Sequence, residues 1–597
     1  AIFAQAIGGA LQGRQPMLPR SPTNDTNSGR TTSFSSGRTT SFSSDLSDSR
    51  GASEDSSFQM SVRKSLKRAG SSVSEYTFID GMRRFSDKAM LRGTRVPVVL
   101  HRFGRILASA QGDMDSWEKS ELVSYIDEFV SHTWTTPRFT KFLTLAFHFN
   151  YNTAVLVTIF VALLAFPLSA ADTLPIIEMQ GARQPYRCYF AMIAVYPTFI
   201  LSLCGAHELS KILHIRCPTI FLDKTCIHQT DVALKRRGIS KLGAFLAHSR
   251  GMTIVLSDNY LQRLWTVYEV ASLLILNPDA RLCILPVFLP KLILIGAAIL
   301  MAGDWLSELT DHLGGGQARV VYDVFIASTL VFVAELIANS YAYILQGVLA
   351  FDVRKAECSN EEDRKYVYDV ILSCLRELGY IPYEVGEEAA LDRFNELVHT
   401  EVFEAMKKAF GRTGVSYKYI VLLSLGTLGS HVDSVVSYLS VSDYCGVLTG
   451  IAAYGTLDFC SLPLCVGIAL WTSKWTAHID SRLGRALSRL ARIMLCFLAC
   501  FLPSGVMIFL NSGGSSVHGA IVQFLVLFFY IPLTFFVFLP RQRSQLSYVD
   551  PPCLSEIEVR EDESAVTVET KRTSETTVAV DSPLSSFTEA SIVKYSL

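Results

Sequence analysis

Five ionisable residues of this sequence fall within long apolar stretches that hold few other charges. They are Asp323, Glu335, His431, Asp433 and Asp458. An ionisable side chain at membrane depth is costly, and such residues often mark a path for ions or substrates. They also form hydrogen bonds between helices in bundles that only anchor a protein. The sequence leaves both interpretations open and indicates no transported substrate.

Few other residues have a spacing that indicates chemistry. Cys226 and His228 stand close together, but no second ligand pair follows at the spacing of a zinc site, so no metal is expected. The sequence has no Gly-rich phosphate loop, nucleophile elbow or metalloprotease helix. The net charge of −1 says nothing about nucleic acid, and because no sustained basic stripe occurs, no nucleic-acid partner is expected.

Apolar runs must position the ionisable residues. The mean hydropathy is +0.29, and 18% of the residues are charged, compared with about a quarter in soluble proteins. A helix needs about 20 residues to cross hydrocarbon. Eight runs approach that length, namely 151–171, 188–206, 283–303, 320–346, 419–439, 444–471, 493–511 and 519–539. The third run is charge-free only over 292–303 and could be re-entrant.

Charged segments beside the runs predict how they are oriented. The segment 472–492 holds Lys474 and four arginines, and two more arginines follow the last run. The loop 511–518 carries no charge. With eight spans, the positive-inside rule places both chain ends and the hydrophilic stretches in the cytosol. The sequence does not indicate which membrane holds the protein.

Both ends of the chain are rich in Ser and Thr and poor in large apolar residues. Such segments bury too little surface to offset their conformational entropy, so the tails 1–75 and 541–597 are predicted to be disordered. Arg30 and Arg38 each precede a serine by three residues, a spacing that suits basophilic kinases. Kinases are therefore candidate partners of the N-terminal tail.

The hydrophilic stretches between the spans alternate strand and helix patterns. Residues 123–134 alternate before a polar turn, 219–223 form a short apolar strand ending in Asp, and 282–289 are again strand-like. Residues 251–257 are continuously apolar, as a central parallel strand buried on both faces would be. Residues 263–276 have helical spacing. This alternation predicts an open, mostly parallel sheet, whose ligands bind beyond the carboxyl ends of the strands.

One hydrophilic run has a basic-Gly-Ile turn, a helix pattern, a strand pattern, Asn-Tyr and then Trp-x-x-x-Glu, in that order. Its sequence is KRRGISKLGAFLAHSRGMTIVLSDNYLQRLWTVYEVA. This order resembles the Toll/interleukin-1 receptor (TIR) domain, particularly its plant immune-receptor form, and needs no gap from Phe221 to Glu269. DEFVSHTWTTPRF is similar to the first strand of that family, and ILPVF at 284–288 is similar to its fourth. The segment 351–378 could supply its last helix.

The apolar runs predict an α-helical polytopic membrane protein of about eight spans, and the resemblance implies that its cytosolic part is a flavodoxin-like α/β domain split by membrane hairpins. Since family members are normally contiguous, the pieces could instead form separate juxtamembrane hairpins. The expected organisation is a disordered tail at 1–75, the first strand and helix of the TIR-like domain at 121–150, a membrane hairpin at 151–206, the domain core at 215–289, a second hairpin at 290–346, a helical part completing the domain at 351–415, a four-span bundle at 419–539 and a disordered tail at 541–597.

Some TIR domains cleave NAD⁺ at its nicotinamide–ribose bond, and in these a glutamate on the helix after the third strand faces the ribose. Glu269 matches that position. Bond cleavage develops oxocarbenium character, which a nearby carboxylate stabilises. The resemblance also implies ligand-binding roles for Ser131, His132, Trp265, Ser257, Arg236 and Arg237. Packing remains the other interpretation of Trp265, and a solvated charge run that of the arginines. NAD⁺ would be a substrate, and no cofactor is expected.

Three kinds of function remain open after this comparison. The TIR-like domain could be an NAD⁺ nucleosidase, or a non-catalytic scaffold in which copies of the domain assemble as a homo-oligomer. The spans could instead form a transporter or channel with a cytosolic regulatory domain. All three place the chain in a lipid bilayer.

Overall fold

The apolar runs form long helices in the computed structural model, and the alternating segments form strands of one sheet. The tails 1–75 and 541–597 lie outside the described residues. The structure describes residues 78–538 except 176, 179–185, 213–216, 278, 313–317, 359–360, 411–412, 477–480 and 511–515.

Six strands form a mixed sheet, and two short strands form a separate hairpin. Across the sheet the order is β2-β1-β6-β3-β7-β8, and β4 pairs with β5. The neighbours β6, β3, β7 and β8 are parallel, whereas β1 is antiparallel to both β2 and β6. The strands are β1 (Arg92–Arg95), β2 (Glu121–Leu122), β3 (Glu128–Ser131), β4 (Ile177–Glu178), β5 (Tyr186–Arg187), β6 (Thr219–Phe221), β7 (Gly251–Leu256) and β8 (Arg281–Pro286).

Helices account for most of the described chain. In chain order they are α1 (Phe78–Arg83), α2 (Val96–Gly104), α3 (Met114–Glu118), α4 (Arg138–Phe149), α5 (Tyr151–Ala170), α6 (Phe190–Ile212), α7 (Asp223–Cys226), α8 (Val232–Ser240), α9 (Leu242–Ala247), α10 (Leu264–Leu276), α11 (Leu289–His312), α12 (Ala318–Leu349), α13 (Glu361–Glu377), α14 (Glu387–Leu397), α15 (Phe403–Phe410), α16 (Tyr417–Ile420), α17 (Leu425–Ser440), α18 (Tyr444–Thr456), α19 (Leu462–Thr476), α20 (Arg482–Leu510) and α21 (Val517–Phe538).

Seven helical stretches in the described chain are long and apolar enough to cross a membrane, which is compatible with a multi-pass membrane protein. Large apolar side chains on them are exposed, including Phe160 (63%), Ile193 (59%) and Leu201 (73%). Apolar surface of this extent is expected where helices face lipid. The stretches are Tyr151–Ala170, Phe190–Ile212, Leu289–Thr310, Val320–Leu349, Tyr417–Ser440, Tyr444–Ser473 and Val517–Phe538.

The third predicted span begins later in the structure than expected. It was expected at 283–303, but β8 extends to Pro286 and the apolar helix begins only at Leu289. The backbone of Cys283 to Pro286 pairs with β7, so these residues belong to the sheet. The seventh predicted span, 493–511, overlaps α20 as far as Leu510, and α20 is not among the seven stretches found in the described residues.

The sheet joins segments that a membrane hairpin separates in the chain. β3 precedes α5 and α6, β6 follows them, and the two strands pair directly with Phe129 beside Phe221. β7 is buried along its whole length between β3 and β8, as its continuous apolar sequence predicts. The pieces on either side of the membrane hairpin therefore form one sheet.

The segment after the second hairpin packs against α10. The backbone N–H of Leu264 donates to the carbonyl of Glu357 at 3.1 Å, and the N–H of Glu357 donates back to Gln262. Further along, the indole of Trp265 donates to Asp363 at 3.3 Å. These contacts hold α13 beside the helix that carries Glu269.

The segment 78–120, for which no element was predicted, also contributes to the sheet. β1 reads Arg-Gly-Thr-Arg and lacks the apolar alternation that marks a strand. Its pairing with β6 covers one edge of the parallel strands. α1 is joined to α13 by the N–H of Ile79, which donates to Glu377 at 2.9 Å.

Candidate functional site

Glu269 lies at the edge of the sheet where the parallel strands end. A short turn, Tyr260–Gln262, follows β7, and α10 then begins at Leu264. Ser131 is the last residue of the adjacent strand β3, and its Oγ donates to Glu269 Oε2 at 2.5 Å. The hydroxyl of Tyr260 lies 2.6 Å from the same Oγ. The strand thus places one hydroxyl against the carboxyl group, and the turn places a second hydroxyl against the first.

The surroundings of Glu269 favour its neutral form. Burial raises the pKa of the carboxyl to about 8; the hydrogen bond from Ser131 lowers it, and the negative charge of Asp223 raises it further. The side chain still keeps a small exposed fraction. A carboxyl group that titrates near neutral pH can act as a general acid or a general base.

A second set of hydroxyls continues along the same edge. Thr133 follows β3, Ser257 follows β7, and their Oγ atoms lie 3.1 Å apart. Ser257 also donates to Asn259 Oδ1 at 2.9 Å, and Asn259 Nδ2 donates to Thr135 at 2.6 Å. The predicted residue Ser257 therefore belongs to this polar edge, next to the end of β3.

His132 lies between Ser131 and Thr133 in a buried position. Burial lowers its pKa to about 4; Asp223 opposes this shift, and Lys141 adds to it. Its Nε2 atom is buried and has no hydrogen-bond partner among the described residues. Its ring meets the ring of Trp134 edge-on, with centroids 4.6 Å apart. His132 is thus neutral near pH 7.

Two lysines flank the ring of Trp134. The Nζ of Lys141 lies 4.5 Å from the ring centroid and that of Lys224 lies 5.9 Å from it, while the indole N–H donates to Asp223 at 2.9 Å. Lys141 is only 1% exposed, and burial lowers its pKa to about 8. The edge therefore places the carboxyl group of Asp223 and the amino groups of Lys141 and Lys224 around the ring of Trp134.

Trp265 lies on another side of α10. Besides its hydrogen bond to Asp363, its ring contacts Tyr366 of α13 with centroids 6.3 Å apart. It also meets Tyr268 edge-on at 5.6 Å. These contacts support the packing interpretation of Trp265, which the structure does not bring to the Ser131–Glu269 pair.

Arg236 and Arg237 lie on the exposed face of α8. Asp231 begins this helix by accepting the backbone N–H groups of Ala233 and Leu234, and both arginines follow on its solvent side. Within the described residues, no hydrogen bond or ion pair connects either arginine with Glu269. Both arginines are exposed to solvent, as in a solvated charge run, and a partner surface could reach them.

The residues at this edge that were not predicted include Tyr260, Trp134, Asp223 and Lys141. Trp134 and Asp223 follow β3 and β6, so the rule that ligands bind beyond the carboxyl ends of parallel strands could have identified them. Lys141 is buried by the packing of its helix, which no local pattern indicates.

The ionisable residues of the spans mostly have structural partners. Glu335 accepts hydrogen bonds from Arg489 at 2.9 Å and from Arg492 at 2.7 Å, which ties α12 to α20. Asp433 accepts the backbone N–H groups of Ala191 and Met192 at 2.9 and 2.8 Å, at the start of α6. A carboxylate stabilises a helix at this end.

His431 and Asp458 form a buried pair within the bundle. His431 Nδ1 lies 2.9 Å from Asp458 Oδ2, and Thr427 donates to Asp458 Oδ1 at 2.7 Å. The ring of Tyr454 stacks on His431 at 4.4 Å. Asp458 belongs to a π-helical turn, Leu457–Ser461, and such turns often occur at functional sites. Asp323, the remaining ionisable residue, is buried in α12.

Cys226 and His228 each contact other groups in the structure. The thiol of Cys226 is buried beside the hydroxyls of Thr94 and Thr225, and His228 Nδ1 accepts the backbone N–H of Asp231 at 3.0 Å. No group of three or more metal-ligating side chains occurs in the part of the chain that is described. Comparison of the chain with protein-family models, curated proteins and solved structures finds no match.

Proposed function

We propose that this chain is a membrane-anchored signalling protein whose TIR-like domain self-associates and cleaves NAD⁺ at its nicotinamide–ribose bond. The observation that carries the proposal is the hydrogen bond between Ser131 and Glu269, which lie 138 residues apart in the chain. It places the only acidic residue of α10 at the end of β3, on the side where open parallel sheets bind ligands.

The order of the strands also supports the proposal. The parallel strands β3, β6, β7 and β8 are first, second, third and fourth along the chain, and across the sheet their order is second, first, third, fourth. Flavodoxin-like sheets begin with this order. The TIR resemblance implies a fold of that kind, so the sequence motifs and the strand order point in the same direction.

Glu269 would act on the ribose. As the nicotinamide leaves, positive charge develops on the anomeric carbon of the ribose, and an ionised carboxylate stabilises that charge. The hydroxyl of Ser131 would hold one carboxylate oxygen in place, as it does in the structure. The carboxylate could then accept a proton from the water or ribose hydroxyl that attacks the carbon.

The resting state of the site is poorly prepared for this reaction. With a pKa of about 8, Glu269 keeps its proton in most molecules at neutral pH. A positively charged nicotinamide ring nearby would favour the ionised form. We therefore expect low activity from isolated copies and higher activity once assembly has opened the site to NAD⁺, as the behaviour of the family implies.

Self-association has a candidate surface of its own. The resemblance identifies 224–237 as the variable loop that often mediates assembly, and in this chain its end is the exposed basic face of α8 with Lys235, Arg236 and Arg237. A non-catalytic scaffold would use the same surface. Crosslinking would then give oligomers that Glu269→Ala leaves intact, and no nicotinamide would be released.

The positive-inside rule supports a cytosolic position for the TIR-like domain and for both chain ends. Cytosolic NAD⁺ would then reach the domain directly. The candidate kinase sites around Arg30 and Arg38 belong to the N-terminal tail, outside the described residues. The proposed partners are thus the bilayer, other copies of the chain and kinases.

The deciding experiment is nicotinamide release from NAD⁺ by full-length protein in lipid vesicles at high protein density. We expect release by the wild type and none by Glu269→Ala. Glu361→Ala is a matched control, because Glu361 is exposed at the start of α13 and pairs only with Arg364 in the described contacts. Equal release by wild type and Glu269→Ala would refute the assignment of Glu269.

Transport is a second candidate function, and the His431–Asp458 pair is the observation that favours it. A buried acid and base at membrane depth can carry protons or bind cations. Asp458→Asn should then change ion flux into vesicles and leave nicotinamide release unchanged. Unchanged flux in this variant would identify the pair as an interhelical contact.

A further inference from the structure

A second polar cluster lies at the opposite end of β3 from Ser131. Glu128 is the first residue of β3, His148 is in the last turn of α4, and Cys283 is on β8. His148 Nε2 lies 2.9 Å from Glu128 Oε2, and its Nδ1 lies 3.9 Å from the Sγ of Cys283. The imidazole thus stands between a carboxylate and a thiol.

The carboxylate is itself held in place. Thr253 of the neighbouring strand β7 donates to Glu128 Oε2 at 2.5 Å. Because Glu128 engages Nε2, the second ring nitrogen of His148 is directed at the thiol. A nucleophile, a base and a group that orients the base make up the arrangement found in cysteine enzymes.

Charge in the cluster favours a protonated imidazole. Burial by itself would lower the pKa of His148, but hydrogen bonds with Cys283 and Glu128 and the charge of Glu128 outweigh burial and raise the pKa to about 9. Burial by itself would raise the pKa of Glu128. The contact with His148 outweighs burial, and the pKa of Glu128 is lowered. The thiolate is the nucleophilic form of a cysteine, and a neighbouring imidazolium stabilises it.

Other charged or titratable groups also face the cluster. Arg281 acts on Glu128, and Lys418 and Tyr419 act electrostatically with Cys283 and Glu128. No further carboxylate acts on His148 in the described contacts. The charge around the cluster is therefore mainly positive.

The cluster lies where the sheet meets three apolar helices. His148 is three residues before Tyr151, where the first membrane stretch begins, and Cys283 is six residues before Leu289, where the third begins. Phe147 stacks on Tyr419 of the fifth stretch with ring centroids 5.2 Å apart. A chemical change at Cys283 would thus occur at the junction of the sheet and the bundle.

We propose that Cys283 is a thiol oxidation site, held by His148 and Glu128, that reacts with small hydroperoxides. The thiolate attacks the terminal peroxide oxygen, so that a sulfur–oxygen bond forms while the oxygen–oxygen bond breaks. Cys283 is oxidised to a sulfenic acid, and the hydroperoxide is reduced to an alcohol or water that takes its proton from the His148 imidazolium. The partly buried position of Cys283 suits a small oxidant. This site shares no residue with the Ser131–Glu269 pair.

The test treats full-length protein in vesicles with hydrogen peroxide and dimedone, and measures the trapped sulfenic acid at each cysteine by peptide mass spectrometry. Cys217 is the internal control, because it is also partly exposed and burial raises its pKa. We expect Cys283 to react about tenfold faster than Cys217. His148→Gln should abolish that difference, and Glu128→Gln should reduce it.

Alkylation of the unaltered protein keeps the test independent of whether these variants fold. At one fixed pH near neutrality, iodoacetamide should alkylate Cys283 about tenfold faster than Cys217, because the imidazole of His148 lies against the Cys283 thiol. Equal alkylation of the two cysteines, or equal peroxide reactivity, would overturn the proposal.

Discussion

Glu269 occupies a position that is polar on one side and buried on the other. Ser131 and Tyr260 supply hydroxyls, while the body of α10 removes the carboxyl from water. Burial dominates, so the folded protein holds the proton more tightly than the unfolded chain does. The residue that would carry the reaction is therefore also a source of pH-dependent stability.

The first prediction concerns this pH dependence. Between its ordinary pKa of 4.5 and a folded-state pKa of about 8, Glu269 keeps a proton that the unfolded chain releases. Its contribution to stability is full below about pH 4.5 and is lost as the pH rises to about 8, up to about 5 kcal/mol in total. Glu269→Gln lacks this loss, so the thermal midpoint of the wild type should fall relative to the variant over that range. A difference that is constant with pH would contradict the assigned pKa.

Single residues of the site differed in how far the sequence could predict them. Glu269, Ser131 and Ser257 stand at the end of a strand or early in the following helix, and the structure places all three at one edge of the sheet. Trp265 and Arg236 belong to the same motif region but face elsewhere, because their direction depends on how α10 and α8 pack. A motif fixes position along the chain, whereas packing decides orientation.

At the scale of helices, Glu335 links two long elements. Arg492 and Glu335 have side chains only 9% and 13% exposed, whereas that of Arg489 is 59% exposed. A charge that loses its partner in a buried site is far more costly than one that faces water. The ion pair is therefore a structural requirement of α12 and α20.

The second prediction follows from this contrast. Glu335→Gln leaves the guanidinium of Arg492 buried without a countercharge and should lower the free energy of unfolding by about 3 kcal/mol. Arg489→Gln is the matched control and should cost less than about 1 kcal/mol, because its partner stays paired and its own charge is exposed. Thermal unfolding in detergent or lipid measures both. Equal effects of the two substitutions would argue against a buried ion pair.

The elements themselves were predictable where their pattern was strong. β7 and the long apolar helices have compositions that admit one interpretation each. β1 lacks such a pattern, and it joins the sheet through its backbone pairing with β6. The start of the third apolar helix was predicted too early, because a buried strand and a membrane helix are equally apolar and only pairing separates β8 from α11.

At the scale of the whole molecule, the number of crossings decides which sides the chain ends occupy. The described chain has seven stretches that qualify by length and composition, and α20 contains the additional predicted run. Seven crossings would place the two ends on opposite sides of the membrane. Eight crossings place them on the same side, in agreement with the charged segment 472–492 and the positive-inside rule.

The third prediction is that epitopes at the two ends of the chain lie on the same side of the membrane. A protease added outside sealed vesicles should then cleave both epitopes or neither. An epitope inserted between Leu510 and Val517 should behave in the opposite way, because α20 precedes this position and α21 follows it. Protection of only one chain end would show an odd number of crossings and would remove the argument for a cytosolic domain.

The most direct test of the account is nicotinamide release measured as a function of protein density in the vesicle membrane. If self-association prepares the Ser131–Glu269 site, the rate per molecule should rise with density in the wild type and stay at background in Glu269→Ala. A wild-type rate at background at every density, or one that Glu269→Ala preserves, would contradict the central claim.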